Sequence, residues 1–402
     1  VEQVVSTPHQ TDKAAKQLIM ALAVASVVIY INLYLMQGML PLLAEHFDVA
    51  LAKTPLVLSV STASVAIGVL FYALISDWVG RKQPIVVSLI LLSLSNLLLF
   101  WISSFEQLLW LRVLQGLLIA AIPAVAMAYF KERLTIIQFA YAAAVYIAAN
   151  SIGGISGRLF GGFLSQYLSW HQAIACFVGV TFVGVVVTLW LLRAQSQIKV
   201  DHVGPFNLWR ELGGFGYHLK DKPMWMTYLI GGLAFLVMVN QFSYIQLHLM
   251  ATPFNWSRLE VTFIFLCYLS GTLVSYYSAR LINALSIERL FHIAAGLMLL
   301  GSCITLFDTL AAIWVGFFVS CSGFFMCHSC CNKWVAERAM VHRAKATSLY
   351  LCSYYLGAAI GGALMLPFWH QYQWTGVVAI SISMLLLMWL IIGLKQYALK
   401  RP

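Results

Sequence analysis

The chain has 402 residues, of which 61% are hydrophobic and 9% charged, with a formal net charge of +10. A soluble domain of this length needs far more polar surface, and runs of roughly 20 apolar residues recur along it, as bilayer-crossing helices require. The positive charge does not point to nucleic acid, because the basic residues sit in short segments between apolar runs.

Residues 1–16 read as a polar tail. No cleavable leader is visible, since the first apolar run is too long and follows the tail directly. Six membrane helices are expected over 17–44, 54–76, 84–103, 107–129, 138–168 and 171–193. A polar connector over 194–222 follows, and Asn207 to Leu212 within it read as a short helix lying on the membrane surface. Six more spans are expected over 223–250, 260–279, 290–308, 310–337, 344–370 and 374–396, then a tail at 397–402. The expected fold class is all-α integral membrane: twelve transmembrane helices in two pseudo-symmetric six-helix bundles, 17–193 and 223–396.

Lysine and arginine set the orientation. With the tail inside, Lys53 and Arg258 are the basic residues left to the outer side, and Arg112 and Arg158 lie within spans. This asymmetry puts both termini in the cytoplasm. The eight cysteines lie in or beside apolar segments, which excludes an extracellular disulfide framework.

The fifth span carries Gly153, Gly157 and Gly161 at intervals of four, on one helix face. Such a stripe lets a neighbouring backbone come close in lipid. Gly357, Gly361 and Trp374 repeat the spacing of Gly153, Gly157 and Trp170 at a constant offset of 204 residues, the mark of two related halves. Arg158 stands inside the stripe, where a fixed cation is costly and marks a functional residue by default. The alternative is a packed helix whose arginine is merely satisfied.

Between spans two and three, Asp77, Gly80, Arg81 and Lys82 form a compact charge cluster around a turn. Such a cluster can latch helices when one face of a transporter closes, or simply be a basic loop. These residues match the Gly-x-x-x-Asp-Arg-x-Gly-Arg-Lys signature of the major facilitator superfamily, with Ala73 in place of the leading glycine and Trp78 in place of the first arginine. Arg112, Gln115 and Gly116 match that family's fourth-helix Arg-x-x-Gln-Gly motif, and the glycine stretch is similar to its fifth-helix antiporter motif, with Arg158 where proline is usual. With His328-Ser329 and Tyr354-Tyr355-Leu356-Gly357, the chain resembles the drug/proton antiporter branch, in particular the YnfM-type bacterial efflux proteins. The resemblance implies a bacterial inner-membrane carrier that exports a small molecule by alternating access in exchange for protons, with Arg112 taking part in coupling.

The departures are informative. Many relatives of that kind carry a carboxylate in the first span, where this chain offers Asn32 and Gln37. No Asp or Glu is expected mid-membrane, which leaves His328 as the group able to change charge near physiological pH. It is alternatively a buried, hydrogen-bonded core residue. Cys327, His328, Cys330 and Cys331 also invite a metal reading, although cysteine is equally a small packing residue.

Arg112 and Arg158 are expected about 9 and 15 Å below the outer ends of their spans. Either Gln37, Gln115, Asn150 and backbone carbonyls satisfy them, or an electropositive cavity awaits an anionic or zwitterionic substrate. Asn32, Asn240 and Tyr354 complete the candidate binding set. Multidrug efflux of lipophilic cations is the alternative function, and a non-transporting receptor or scaffold the alternative class. No cofactor or enzymatic activity is expected. The expected partners are a small-molecule substrate, protons and the bilayer, around a monomer.

Overall fold

The computed structural model describes residues 12–195 and 208–400 and is helical almost throughout. The expected tail residues 1–11, connector residues 196–207 and residues 401–402 lie outside the described residues. The first half holds α1 (Asp12–Gly38), a short α2 (Leu40–His46), α3 (Leu56–Val79), α4 (Lys82–Leu97), α5 (Phe105–Ile119), α6 (Ala121–Arg133), α7 (Ile136–Tyr167) and α8 (Trp170–Leu192). After α9 (Leu208–Lys220) come α10 (Lys222–Met250), α11 (Tyr268–Leu285), α12 (Ile287–Ile304), α13 (Leu310–Arg338) and α14 (Arg343–Lys400).

Ten described segments are long and apolar enough to cross a membrane. One of them, α14, reverses at Gln373, where φ is 51° and ψ −137°, so it crosses twice. The 3-10 turn Glu260–Cys267 running into α11 supplies the remaining crossing, giving the twelve that the sequence predicts. Helices α5 and α6 are one crossing, broken at Ala120. Pro123 explains the break: it has no N–H, and its ring crowds the carbonyl four residues earlier.

Polar residues start helices where the sequence places them. Thr135 with Gln138, and Ser169 with Gln172, form capping boxes at α7 and α8. Thr309 caps α13. Gly80 turns α3 into α4 at a φ of 86°, a conformation that glycine takes without steric cost.

The glycine stripes lie at close helix contacts. A Cβ on Gly153 or Gly157 would stand 2.9 Å from the α-carbon of Val27 or Ile31, so α7 lies directly on the α1 backbone. Gly357 and Gly361 meet Gly232 and the Leu236 carbonyl in the same way, laying α14 on α10. The two halves therefore share one packing device at equivalent helices.

The halves touch along the membrane and at the side opposite the termini, called here the far side. There Gly162 meets Thr262, and Arg258 pairs with Glu45 at 2.5 Å and donates to the Ser165 carbonyl at 3.2 Å. On the terminal side, Asp77 faces His342, Arg343 and Lys345 of the other half across a cavity of about 300 Å³. Helix α9 docks beside it: Glu211 pairs with Lys345 at 2.6 Å, and His218 meets the Val341 carbonyl at 3.1 Å. Burial lowers the pKa of His218 from its ordinary 6.5, against the opposing pull of its carbonyl partners.

Candidate functional site

The two intramembrane arginines lie in different surroundings. Arg112 projects from α5 into a buried polar network inside the first half. Its Nη1 donates to the Asn32 carbonyl at 3.0 Å and to Gln115 Oε1 at 2.9 Å, and its Nη2 to the Leu33 carbonyl at 3.0 Å. Gln115 donates on to Asn96 at 2.8 Å, Asn96 to Asn32 at 2.8 Å, and Asn32 to Thr181 at 3.1 Å. This chain ties α1, α4, α5 and α8 together. Carbonyl oxygens and amides thus satisfy Arg112, although its buried Nε has no hydrogen-bond partner among the described residues.

Arg158 instead reaches the junction between the halves. Its Nε donates to Gln37 Oε1 at 2.8 Å and its Nη1 to the Gly154 carbonyl at 2.9 Å. The guanidinium carbon lies 3.7 Å from the centre of the Tyr34 ring, close enough for a strong cation–π contact. Phe265 and Tyr268, from the other half, close over it at 4.8 and 4.9 Å. Among the described residues, no ion pair includes Arg112 or Arg158.

Aromatic residues continue the junction. Tyr30 of α1 meets Tyr355 of α14 hydroxyl to hydroxyl at 3.2 Å. Tyr354 stacks on Phe235 with ring centres 3.8 Å apart and lies 4.8 Å from the His328 ring. His328 is half-buried, with Nδ1 at 2.7 Å from the Tyr350 hydroxyl and Nε2 at 3.0 Å from the Asn332 amide nitrogen. An amide nitrogen only donates, so Nε2 accepts and the neutral ring carries its proton on Nδ1, toward Tyr350.

The other candidates separate by place. Asn150 bonds to Ser26 rather than to either arginine. Asn240 donates to the Leu236 and Ala358 carbonyls at 2.9 and 3.0 Å, so it fastens α10 to α14. Cys327, Cys330 and Cys331 are fully buried in the second half. Around Gly80, Arg81 pairs with Asp77 at 2.5 Å and with Glu132 at 2.7 Å, while Lys82 donates to the Gln195 carbonyl at 2.6 Å. The Arg81 pairs stay within the first half, and the Lys82 bond reaches the start of the connector.

Sequence reasoning missed Tyr34, Phe265 and Tyr268 around Arg158, because aromatic residues in apolar spans carry no distinguishing pattern. It also missed Asn96, Thr181 and Glu132. Lys395, at the terminal-side end of α14, is 2% exposed, with its amine 3.9 Å from the Trp334 ring centre and 4.3 Å from that of Phe291.

Comparison with known proteins decides the family. The model of the Major Facilitator Superfamily matches residues 22–362. The chain belongs to the major facilitator superfamily. It is 33% identical to the inner membrane transport protein YnfM of Escherichia coli K12, over 98% of this chain and 95% of that protein. It is 30% identical to the transporter YybF of Bacillus subtilis 168, over 92% and 91% respectively. The nucleoside transporter NupG shares the fold with a TM-score of 0.74 at 13% identity, over 94% of this chain and 99% of that one. A bacterial homologue of the lysosomal transporter Spinster does so with a TM-score of 0.74 at 15% identity, over 96% and 98%. The chain is thus a multi-pass membrane protein and a secondary transporter of small molecules, as superfamily members are, and not an enzyme.

Proposed function

We propose that this major facilitator exports a small organic anion or zwitterion by alternating access, in antiport with protons. The observation that carries the reading is Arg158. A permanently charged guanidinium stands at the junction of the halves, roofed by rings from both and, among the described residues, paired with no carboxylate. Arginine cannot shed its charge to suit a dry site. A substrate carboxylate or phosphate would complete the pairing, and the surrounding rings favour a planar, aromatic one.

The same reading divides the chain into bundles at 17–193 and 223–396, joined by a connector at 194–222 and flanked by tails at 1–16 and 397–402. It places the terminal face in the cytoplasm of a bacterial inner membrane and takes the monomer as the working unit. His328 is the proton-responsive group. Its ring lies 4.8 Å from that of Tyr354, and the described acids lie at helix ends or outside the spans.

Binding to purified protein tests the proposal. Benzoate and other aromatic carboxylates should raise the unfolding temperature more than quaternary ammonium compounds do. Arg158→Lys keeps the charge but loses the fork. Losing a charged hydrogen bond, about 1.5–3 kcal/mol, should weaken benzoate binding by roughly ten- to a hundredfold. If quaternary ammonium compounds bind best, and bind Arg158→Lys as well as wild type, the anion reading fails.

A further inference from the structure

The far-side closure and the cation site share one side chain. Gln37 lies in the last turn of α1 and is fully buried. Its carbonyl oxygen accepts Arg158 Nε at 2.8 Å. Its amide nitrogen donates to Ser243 Oγ at 2.8 Å and to the Val239 carbonyl at 3.2 Å, both on α10 in the other half. Among the described residues, these two are the fully buried hydrogen bonds that cross between the halves; the Tyr30–Tyr355 and Arg258 contacts are only part-buried or exposed.

The amide cannot be turned round. A guanidinium only donates, so the group facing Arg158 must be the carbonyl oxygen. A backbone carbonyl only accepts, so the group facing Val239 must be the NH2. Arg158 therefore fixes the orientation in which Gln37 holds α10. Glu45–Arg258, the ion pair on the same side, has side chains 64% and 33% exposed, and pairs so solvated contribute little.

We propose that Gln37 makes opening of the far face conditional on an anion at Arg158. This rests on the reading of Arg158 as the substrate's cation site. A carboxylate competes with the Gln37 carbonyl for the same donor and brings a full charge, and charge-assisted hydrogen bonds are about twice as strong as neutral ones. Once displaced, Gln37 loses the contact that aims its NH2 at Val239 and Ser243. The buried tie between α1 and α10 goes with it. Substrate arriving from the terminal side thereby releases the opposite side.

The experiment measures opening and binding separately. Spin labels go on Glu106→Cys and Ala251→Cys, exposed far-side positions in opposite halves, with the exposed Cys176 and Cys303 replaced by serine. In the otherwise unaltered protein, benzoate should lengthen the label distance. Gln37→Met removes both polar groups at similar volume. It should bind benzoate at least as tightly, because the competitor for Nε is gone, and show the longer distance with or without benzoate. Gln37→Glu, which pairs with Arg158 directly, should bind benzoate more weakly and keep the short distance until benzoate is raised in proportion.

If Gln37→Met binds benzoate and still lengthens only on its addition, Gln37 is a packing residue and the proposal is overturned. If Gln37→Met does not fold, Gln37→Glu decides, and unchanged benzoate binding there overturns the proposal equally. If benzoate shifts neither stability nor distance in the unaltered protein, the reading of Arg158 falls first and this one with it.

Discussion

Two arginines that look alike in the sequence do different work. Arg112 gives its charge to carbonyl oxygens of α1 and an amide network, so it braces the first half. Arg158 gives its charge to one amide, one backbone carbonyl of its own helix and ring faces from both halves, which hold a cation without neutralising it. The difference lies in what the opposing helices supply, and span position alone does not reveal it. His328 shows the same limit. Its place in the tenth span is legible, but its bonds to Tyr350 and Asn332 are not. If it carries the exchanged proton, His328→Gln should flatten the pH dependence of transport, since glutamine cannot take up the proton. A profile of unchanged shape would make His328 a core residue. Glutamine keeps an amide able to bond Tyr350, so loss of folding is not the expected cause.

At the scale of helices, the sequence is read most reliably where geometry repeats. The glycines of α7 and α14 share one spacing in the sequence, and each helix lies against the backbone of a neighbour at them. Gly157→Ala would push a methyl to 2.9 Å from the Ile31 α-carbon, a backbone atom that cannot swing aside. Such overpacking typically costs about 1–3 kcal/mol. Thermal unfolding in detergent should show a lower midpoint, whereas Gly179→Ala, with nothing within 4 Å of the new methyl, should not. Equal midpoints for the two variants would mean that α1 and α7 pack more loosely than the structure shows. Breaks differ in legibility. Ala120 interrupts one crossing inside an unbroken apolar run, which hydropathy does not mark, whereas the reversal at Gln373 falls between the spans expected at 344–370 and 374–396, where His370, Gln371 and Gln373 interrupt the apolar run.

For the whole molecule, the charge cluster expected to latch the halves is bonded within one of them. Arg81 holds Asp77 and Glu132, and Asp77 looks across a cavity toward Arg343 and Lys345. Closing that cavity would bring Asp77 to those cations. Asp77→Asn should therefore abolish transport while leaving benzoate binding intact. It should change stability little, because the Asp77 side chain is 46% exposed and pairs with so solvated a partner are worth about 0–1 kcal/mol. Counterflow in proteoliposomes measures the first, and transport at the normal rate would reduce the cluster to a marker of orientation. The glycine contacts bear on a different matter, the way such a carrier changes its cargo over generations. Where α1 lies against α7 backbone to backbone, even one added carbon collides, so that wall is closed to inheritance by small steps. The rings contributed by α10, α13 and α14, among them Phe235, Phe324 and Tyr354, meet one another through side chains and can be exchanged one at a time. Variants selected for a new compound should accumulate on that side of the junction, while the glycine seam of the first half stays as it is.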